Sequence, residues 1–457
     1  MPSTVQESMA ANHSFWQHKY GNYQAEPTLP AGDYSADIVI VGGGFTGLTT
    51  AREYCRENSN ARVMLLEARE IGFGASGRNG GFNMTLFGLE PEVTELFWGK
   101  DRTQKAQQYM KKAVNFVRDL VEREQLDSDY EHTGMWRLAY STAQEKRLQK
   151  TYQLLCELMG KEDYQYLNHE AVQKRLNAPN VRAAIVEPGT GIFDPCKHVR
   201  ELKRLALESG ADVYENTAVT ELNRHSDHIQ IKTANASIRA DKVVLAVNAW
   251  GHAFDAEKNL RNKQRPIWTY QIVTEPLTEK EWKDIRWEGR MSIEDNRNLV
   301  HYTRITKCGR ITLGGGRVNS DFGTKMDQWH CEKSWQQLEK HLHWLFPTLK
   351  NKAIHYKWGG AVSVNLNMTP EISYLGDERI IQASGCMGHG VSLTQLNGRL
   401  ITDLLQNKQS ELSEFWIVNR RAIPMPPGNL LSYLGGNVIS QTLNAMDWWQ
   451  ERELEKP

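Results

Sequence analysis

At 457 residues the chain exceeds what one hydrophobic core usually supports, so two domains are expected, and its 40% hydrophobic and 24% charged residues are an ordinary globular balance. Lys+Arg 55 equals Asp+Glu 55, which leaves no net field to draw the chain to nucleic acid or an anionic membrane surface. Cysteines 55, 156, 196, 308, 331 and 386 form no C-x-x-C or zinc spacing, the N-terminus lacks a signal pattern, and no apolar run approaches a membrane span, so a reduced, cytoplasmic protein is expected.

Residues 1 to about 35 are polar, with disorder expected at the extreme end, but Phe15, Trp16, Tyr20 and Tyr23 read as a segment that docks on the body. The stretch Ala36 to Ala68 follows. An apolar run, Ile38 to Val41, enters a G-x-G-x-x-G turn at Gly42, Gly44 and Gly47; Leu48, Ala51 and Cys55 share a helical face, and a second strand, Val63 to Leu66, ends at Glu67. The order strand, glycines, helix, strand, acid is that of a dinucleotide site, with pyrophosphate at the helix N-terminus and ribose at Glu67. It does not choose between NAD and FAD.

The glycine-dense stretch Gly72 to Asn83 carries Arg78 and Asn79, and reads either as a loop approaching a large anionic ligand or as a flexible connector. Between Glu92 and Gly160 the pattern is helical: Met110, Ala113, Val114, Val117, Leu120 and Val121 form one stripe, and Thr142 with Glu145 gives a capping box. From 185 to 265 α/β character returns, with a helix after Asp194 and Pro195 and a buried strand, Val243 to Val247, leading to Asn248. From Pro266 to about Trp358, strand runs that carry Tyr270, Tyr302 and Arg304 predict an antiparallel sheet, followed by a helix over Ser334 to Leu345. Last, the strand Ile380 to Ala383 reaches Gly385, Gly388 and Gly390 and a second glycine-led helix.

The blocks VGGGFTGL, GFGASGRNGGF and GCMGHGV, with ADKVVLAVNAW and the ending PMPPGNLLSYLGG, resemble the FAD-dependent D-amino-acid oxidase superfamily, above all its gamma-glutamylputrescine oxidase branch. The resemblance implies an α/β, Rossmann-like FAD-binding domain (1–92, 181–265 and 358–457) and an α+β substrate domain on an antiparallel sheet (93–180 and 266–357). It implies that Gly42, Gly44 and Gly47, with Phe45 and Thr46, take the pyrophosphate, and that Glu67, Ala68 and Arg69 take the ribose end. Gly74, Ala75, Ser76, Gly77, Arg78, Asn79, Gly80 and Gly81 would line the phosphates and one side of the ring; Val219 would meet the adenine, and Asn248, Ala249 and Trp250 would close over the cofactor. Gly388, His389, Gly390, Val391 and Ser392 would present backbone donors and the helix dipole near flavin N1 and O2. Where relatives carry Asp before their Pro, this chain has Asn367 before Pro370, and Cys386 lies in the glycine turn, so the FAD is expected to be non-covalent.

The implied activity is FAD-dependent oxidation of an amine (a polyamine, gamma-glutamylated amine or amino acid), with O2 or another acceptor and an unassigned oligomeric state. Rival readings are an FAD-dependent hydroxy-acid dehydrogenase and a non-catalytic flavin-binding subunit. No Ser/His/Asp or paired-carboxylate pattern stands out. His389 reads as catalytic or as a hydrogen-bonded turn residue, Arg304 as a substrate-carboxylate ligand or a structural ion pair, and Trp358 as a ring-stacking residue or a junction filler; Tyr302 and Tyr270 are pocket candidates. No metal is expected, since His341 and His343 at i and i+2 of a helix do not share a face.

Overall fold

The computed structural model describes residues 12–320, 325–420, 423–425 and 429–451, so the N-terminal expectation of disorder and part of the PMPPGNLLSYLGG block lie outside the described residues. Its first sheet grows from the glycine-led βαβ unit. Gly32–Val41 pairs in parallel with Val63–Leu66 on one side and Ala236–Leu245 on the other, with Val39 opposite Met64 and Val243. Asp212–Tyr214 and Ile380–Ser384 extend it in parallel, and Glu371–Tyr374 closes one edge antiparallel. The central strands are apolar because both faces are covered, as parallel sheets require.

Four helices build the core over one face of this sheet, Pro195–Glu208 among them, packed on Phe45–Glu57. Phe45–Glu57 packs against Gly390–Leu405, and the two backbones approach closely at Gly398, where an added Cβ would lie 2.7 Å from Thr49 Cβ. Lys100–Glu124 completes the layer: Met110, Ala113, Val117, Leu120 and Val121 share one core with Ile38, Ile40, Leu48 and Leu393. This long helix falls in the stretch expected to belong to the substrate domain, yet its stripe joins the core of the nucleotide domain, packed on helix Gly390–Leu405. The helix after the capping-box pattern runs Thr142–Met159, with Ser141 rather than Thr142 as its cap; the Ser141 hydroxyl accepts from Gln144 N–H.

The second sheet has the order Asn319–Ser320, Arg265–Pro276, Arg310–Gly315, His301–Ile305, Ser292–Asp295, Met135–Ala139, Ala183–Glu187, Gln165–Asn168, with Ile354–Val364 also on Arg265–Pro276. It is antiparallel as expected, except that Ser292–Asp295 and Met135–Ala139 run parallel, with Glu294 opposite Arg137. Ala183–Glu187 and most of Ile354–Val364 therefore move its boundaries past the expected 180 and 357; both are strands whose partners are remote in sequence. Helix Glu332–Leu345, beginning two residues before Ser334, buries Trp335, Leu338, Leu342 and Leu345 against Trp268, Tyr270, Ile272 and Leu313.

The N-terminal aromatics dock as anticipated, and on a functional loop. In helix Phe15–Tyr20 the Ser14 hydroxyl donates to Gly77 O (2.7 Å), Trp16 Nε1 donates to Asn79 O (2.9 Å), and Gln17 Nε2 donates to Gly72 O (3.3 Å). Among the described residues no helix is long and apolar enough to cross a membrane.

Candidate active site

A cavity of about 370 Å³ opens at the carboxyl ends of the first sheet's central strands. Gly42 makes the tight exit from Gly32–Val41: its φ is +112° and an added Cβ would lie 2.6 Å from Ala246 O. The chain then enters helix Phe45–Glu57 with Gly44 as its cap and no side-chain partner for the first amides other than the Ser76 hydroxyl, which accepts from Phe45 N–H at 3.0 Å. Gly42, Gly44, Phe45 and Thr46 line this end of the cavity. Glu67, Ala68 and Arg69 line the next part, and Val219 lies beside them. Glu67 is oriented by two amides, Gly43 N–H to Oε2 (2.7 Å) and Arg69 N–H to Oε1 (2.9 Å). Burial raises its pKa, only partly offset by those two donors. Each oxygen keeps a lone pair for a ribose hydroxyl.

Farther along, Gly74, Ala75, Ser76 and Asn79 form one wall and Asn248, Ala249 and Trp250 another, with Gly388, Gly390 and Val391 at the start of helix Gly390–Leu405. The helix N-terminus leaves amide donors unpaired by any side-chain cap. The cavity thus offers in sequence a tight glycine turn, an acid and two helix N-termini, a donor and acceptor set that fits a dinucleotide with its pyrophosphate near Gly44 and its adenosine end near Glu67.

A second cavity, about 730 Å³, lies between the two sheets, and Ala75, Asn79, Ala361, Val362, Gly388 and Val391 line both. Arg78, Gly80, Tyr302 and His389 face this second space rather than the first. Tyr302 packs edge-on against Phe82, and burial raises its phenol well above the usual range. Arg78 is 3% exposed; it donates to the carbonyls of Phe73 (2.7 Å), Gly359 (3.3 Å) and Asn12, and lies over the Trp329 ring. Burial pushes it down to about 9.

His389 is held at both nitrogens, Nδ1 3.0 Å from Gly88 O and Nε2 3.2 Å from Glu294 Oε1. A carbonyl only accepts, so Nδ1 carries a proton. Burial works against its charge, but the Glu294 hydrogen bond and charge, with Glu90 and Gly88, prevail and raise its pKa. Glu294 was not singled out in the sequence, nor were Glu90, Glu187 and Arg137. Arg137 Nη1 pairs with Glu90 Oε2 at 3.0 Å and its Nη2 lies 4.0 Å from Glu187 Oε2. Glu90, Glu92 and Glu294 therefore line this second cavity, with Glu187 behind them at Arg137, where no paired-carboxylate pattern was visible. The available signal was acid at buried strand positions, in SIED and in AAIVE.

Several predicted residues serve the walls from behind. Arg304 lines neither cavity: it is 3% exposed, donates to Phe193 O (2.8 Å) and lies 4.8 Å from the Trp16 ring centre, because its strand continues under the glycine loop past Tyr302. Tyr270 donates its hydroxyl to Gln328 O (2.9 Å), and Trp358 donates Nε1 to Arg78 O (3.0 Å); neither lines a cavity, so Trp358 fills the junction. Gly47, Gly77 and Gly81 are packed against the backbone carbonyls of Gly42, Gly72 and Phe193, and Ser392 bonds to Asn83 and Met84, which keeps all four outside the cavity walls. Cys386 reaches the first cavity with its thiol 3.8 Å from Asn248 Oδ1.

His341 meets groups that helical spacing could not reveal. Asp295, His301 and His341 bring one ligand atom each within 4.8 Å of one another. Arg297 Nη1 lies among them, 2.8 Å from His301 Nδ1, 2.9 Å from His341 Nδ1 and 3.3 Å from Asp295 Oδ2, so a guanidinium already takes the cation's place.

The sequence profile of the family described as FAD dependent oxidoreductase matches residues 37–404. The chain belongs to the FAD dependent oxidoreductase family. The oxidoreductase is 30% identical over 87% of its length to gamma-glutamylputrescine oxidoreductase of Escherichia coli (strain K12), spanning 89% of that protein, and 25% identical over 83% of its length to glycine oxidase of Bacillus subtilis (strain 168), spanning 95% of it. Among solved structures, glycine oxidase from Geobacillus kaustophilus superposes with a TM-score of 0.71 at 21% identity, covering 85% of this chain and 100% of that one. L-proline dehydrogenase from P. horikoshii gives 0.71 at 22%, covering 86% and 98%. The α/β FAD-binding fold with a second domain is thereby established, and the cofactor is FAD, not NAD. This FAD-dependent oxidoreductase is an enzyme, and a non-catalytic flavin-binding subunit is set aside.

Proposed function

We propose that the enzyme oxidises the C–N bond of a primary or secondary amine to an imine, which water hydrolyses to an aldehyde or keto product. The amine is a polyamine, a gamma-glutamylated amine or an amino acid, and the acceptor is O2. The observation that carries the reading is the shared wall of Ala75, Asn79, Ala361, Val362, Gly388 and Val391, which sets a largely apolar cavity of about 730 Å³ directly against the end of the FAD cavity. The relative at 30% identity, named for gamma-glutamylputrescine, supports the amine class.

Non-covalently bound FAD supplies two-electron acceptance from the substrate carbon and return of the electrons to O2. The chain's own residues bind, orient and exclude water. Gly42, Gly44 and the Phe45 helix hold the pyrophosphate, Glu67 the ribose, and Gly388 to Val391 the reacting end. Phe82, Met84 and Leu86 keep the substrate side dry. His389, fixed between Gly88 O and Glu294, is a positioning residue, and Tyr302 shapes the wall. The six free cysteines support a reducing, cytoplasmic setting.

Anaerobic addition of putrescine, gamma-glutamylputrescine, glycine and a 2-hydroxy acid to the yellow protein tests this. Bleaching of the flavin bands by an amine is expected; bleaching by the hydroxy acid alone would sink the reading.

A further inference from the structure

The substrate cavity carries four arginines, Arg78, Arg147, Arg265 and Arg297, each held by protein partners. Its acids are arranged differently. Glu90, Glu92 and Glu294 line the cavity; Thr151 donates to Glu92 Oε1, and Glu294 is in contact with His389. The Glu90 side chain is 25% exposed, and only its Oε2 is taken up by Arg137. Glu294 is 2% exposed; its Oε1 meets His389, and its Oε2 is buried with no hydrogen-bond donor. Behind them Glu187 completes three carboxylates facing one guanidinium, Arg137. One guanidinium does not serve all three: Glu294 Oε2 is left without a donor in a desolvated wall, and burial raises the pKa of Glu90 and Glu187 against the opposing charge of Arg137. An unpaired buried carboxylate is costly, and a cationic hydrogen-bond donor is the ligand that relieves it.

Resting on the amine-oxidation reading, we propose that Glu90 and Glu294 form the subsite that receives the positively charged amino group of the substrate. An ammonium moving along this wall meets the exposed edge of Glu90 first and brings donors to the place where Glu294 Oε2 has none. The wall adjoins Gly388, one of the residues common to both cavities, so the amino group is held next to the reacting end. A substrate carboxylate is repelled here and must point elsewhere, which makes these two acids the source of selection for amines over neutral alcohols of the same shape.

The test is calorimetric titration of the FAD-loaded protein with butylamine and, as the neutral isostere, 1-butanol. The wild type should bind butylamine at least tenfold more tightly than butanol. Glu294→Gln, which keeps shape and removes charge, and Glu90→Gln should each weaken butylamine about tenfold, leaving butanol affinity and flavin content unchanged. If Glu294→Gln does not fold, Glu90→Gln decides alone. Flavin-loaded variants that bind butylamine like the wild type, or a wild type without preference for the amine, overturn the subsite. If instead butylamine binding depends on the two acids but no amine bleaches the flavin, the subsite stands and the amine-oxidation reading falls.

Discussion

Gly44 and Arg304 sit at opposite ends of what single residues do here. A side chain at Gly44 would begin 2.9 Å from Ser76 Oγ, the hydroxyl that accepts from Phe45 N–H, and would project where the pyrophosphate approaches. Gly44→Val should therefore lower FAD content of the purified protein at least tenfold, read from its flavin absorbance; full occupancy would mean that the pyrophosphate lies elsewhere. Arg304 carries its charge, pushed down to about 10 by burial, away from the substrate space. Its hydrogen bond to Phe193 O and its contact with Trp16 are structural, so Arg304→Ala should cost about 1–3 kcal/mol of stability in denaturant melts and leave KM within twofold. The contrast shows what sequence reveals at this scale. Gly42, Gly44 and Glu67 act through backbone geometry within one βαβ unit, so spacing exposes them. Glu294 and His389 meet across 95 positions, and whether Arg304 ends in a cavity or under a loop depends on a sheet whose partners spacing does not name.

At the scale of elements, the helix Phe15–Tyr20 is a clamp on the loop Gly72 to Asn79, which forms a wall of the FAD cavity. Trp16, 1% exposed, both fills the space beside Trp358 and donates to Asn79 O. Trp16→Ala should cost about 3–5 kcal/mol, and, because Asn79 loses its tether, flavin should dissociate faster on dilution than from a core variant of equal stability such as Leu338→Ala. Equal dissociation rates would reduce the helix to packing. The aromatics made docking legible in the sequence, but not its target, because nothing local ties residue 16 to residue 79. Likewise the stripe on Lys100–Glu124 announced a buried face without saying that helix Gly390–Leu405, nearly 300 positions on, would bury it.

For the whole molecule, buried histidines of opposite shift shape the dependence of stability on pH: burial lowers His198 and His341, whereas His389 is raised. His198, buried against Phe193 with Nε2 2.9 Å from Gln395 Oε1, is pushed down to about 4 by desolvation. Its folded value lies below the unfolded one near 6.5, so its contribution is full above that value and is lost as pH falls toward about 4. At about 1.36 kcal/mol per unit this amounts to roughly 3 kcal/mol. Urea melts at pH 7 and pH 4 should show a smaller loss for His198→Gln than for wild type by that order; parallel losses would clear His198. His389 shifts upward, so its contribution is full below about 6.5 and fades as pH rises through its folded value, and His389→Asn should flatten that alkaline limb. The shared wall carries a further consequence. Whatever fills the smaller cavity to its end becomes the floor of the larger one, so cofactor loading and substrate affinity are thermodynamically linked: the order of assembly is FAD first, substrate second, and an amine that occupies the finished site slows the cofactor's escape.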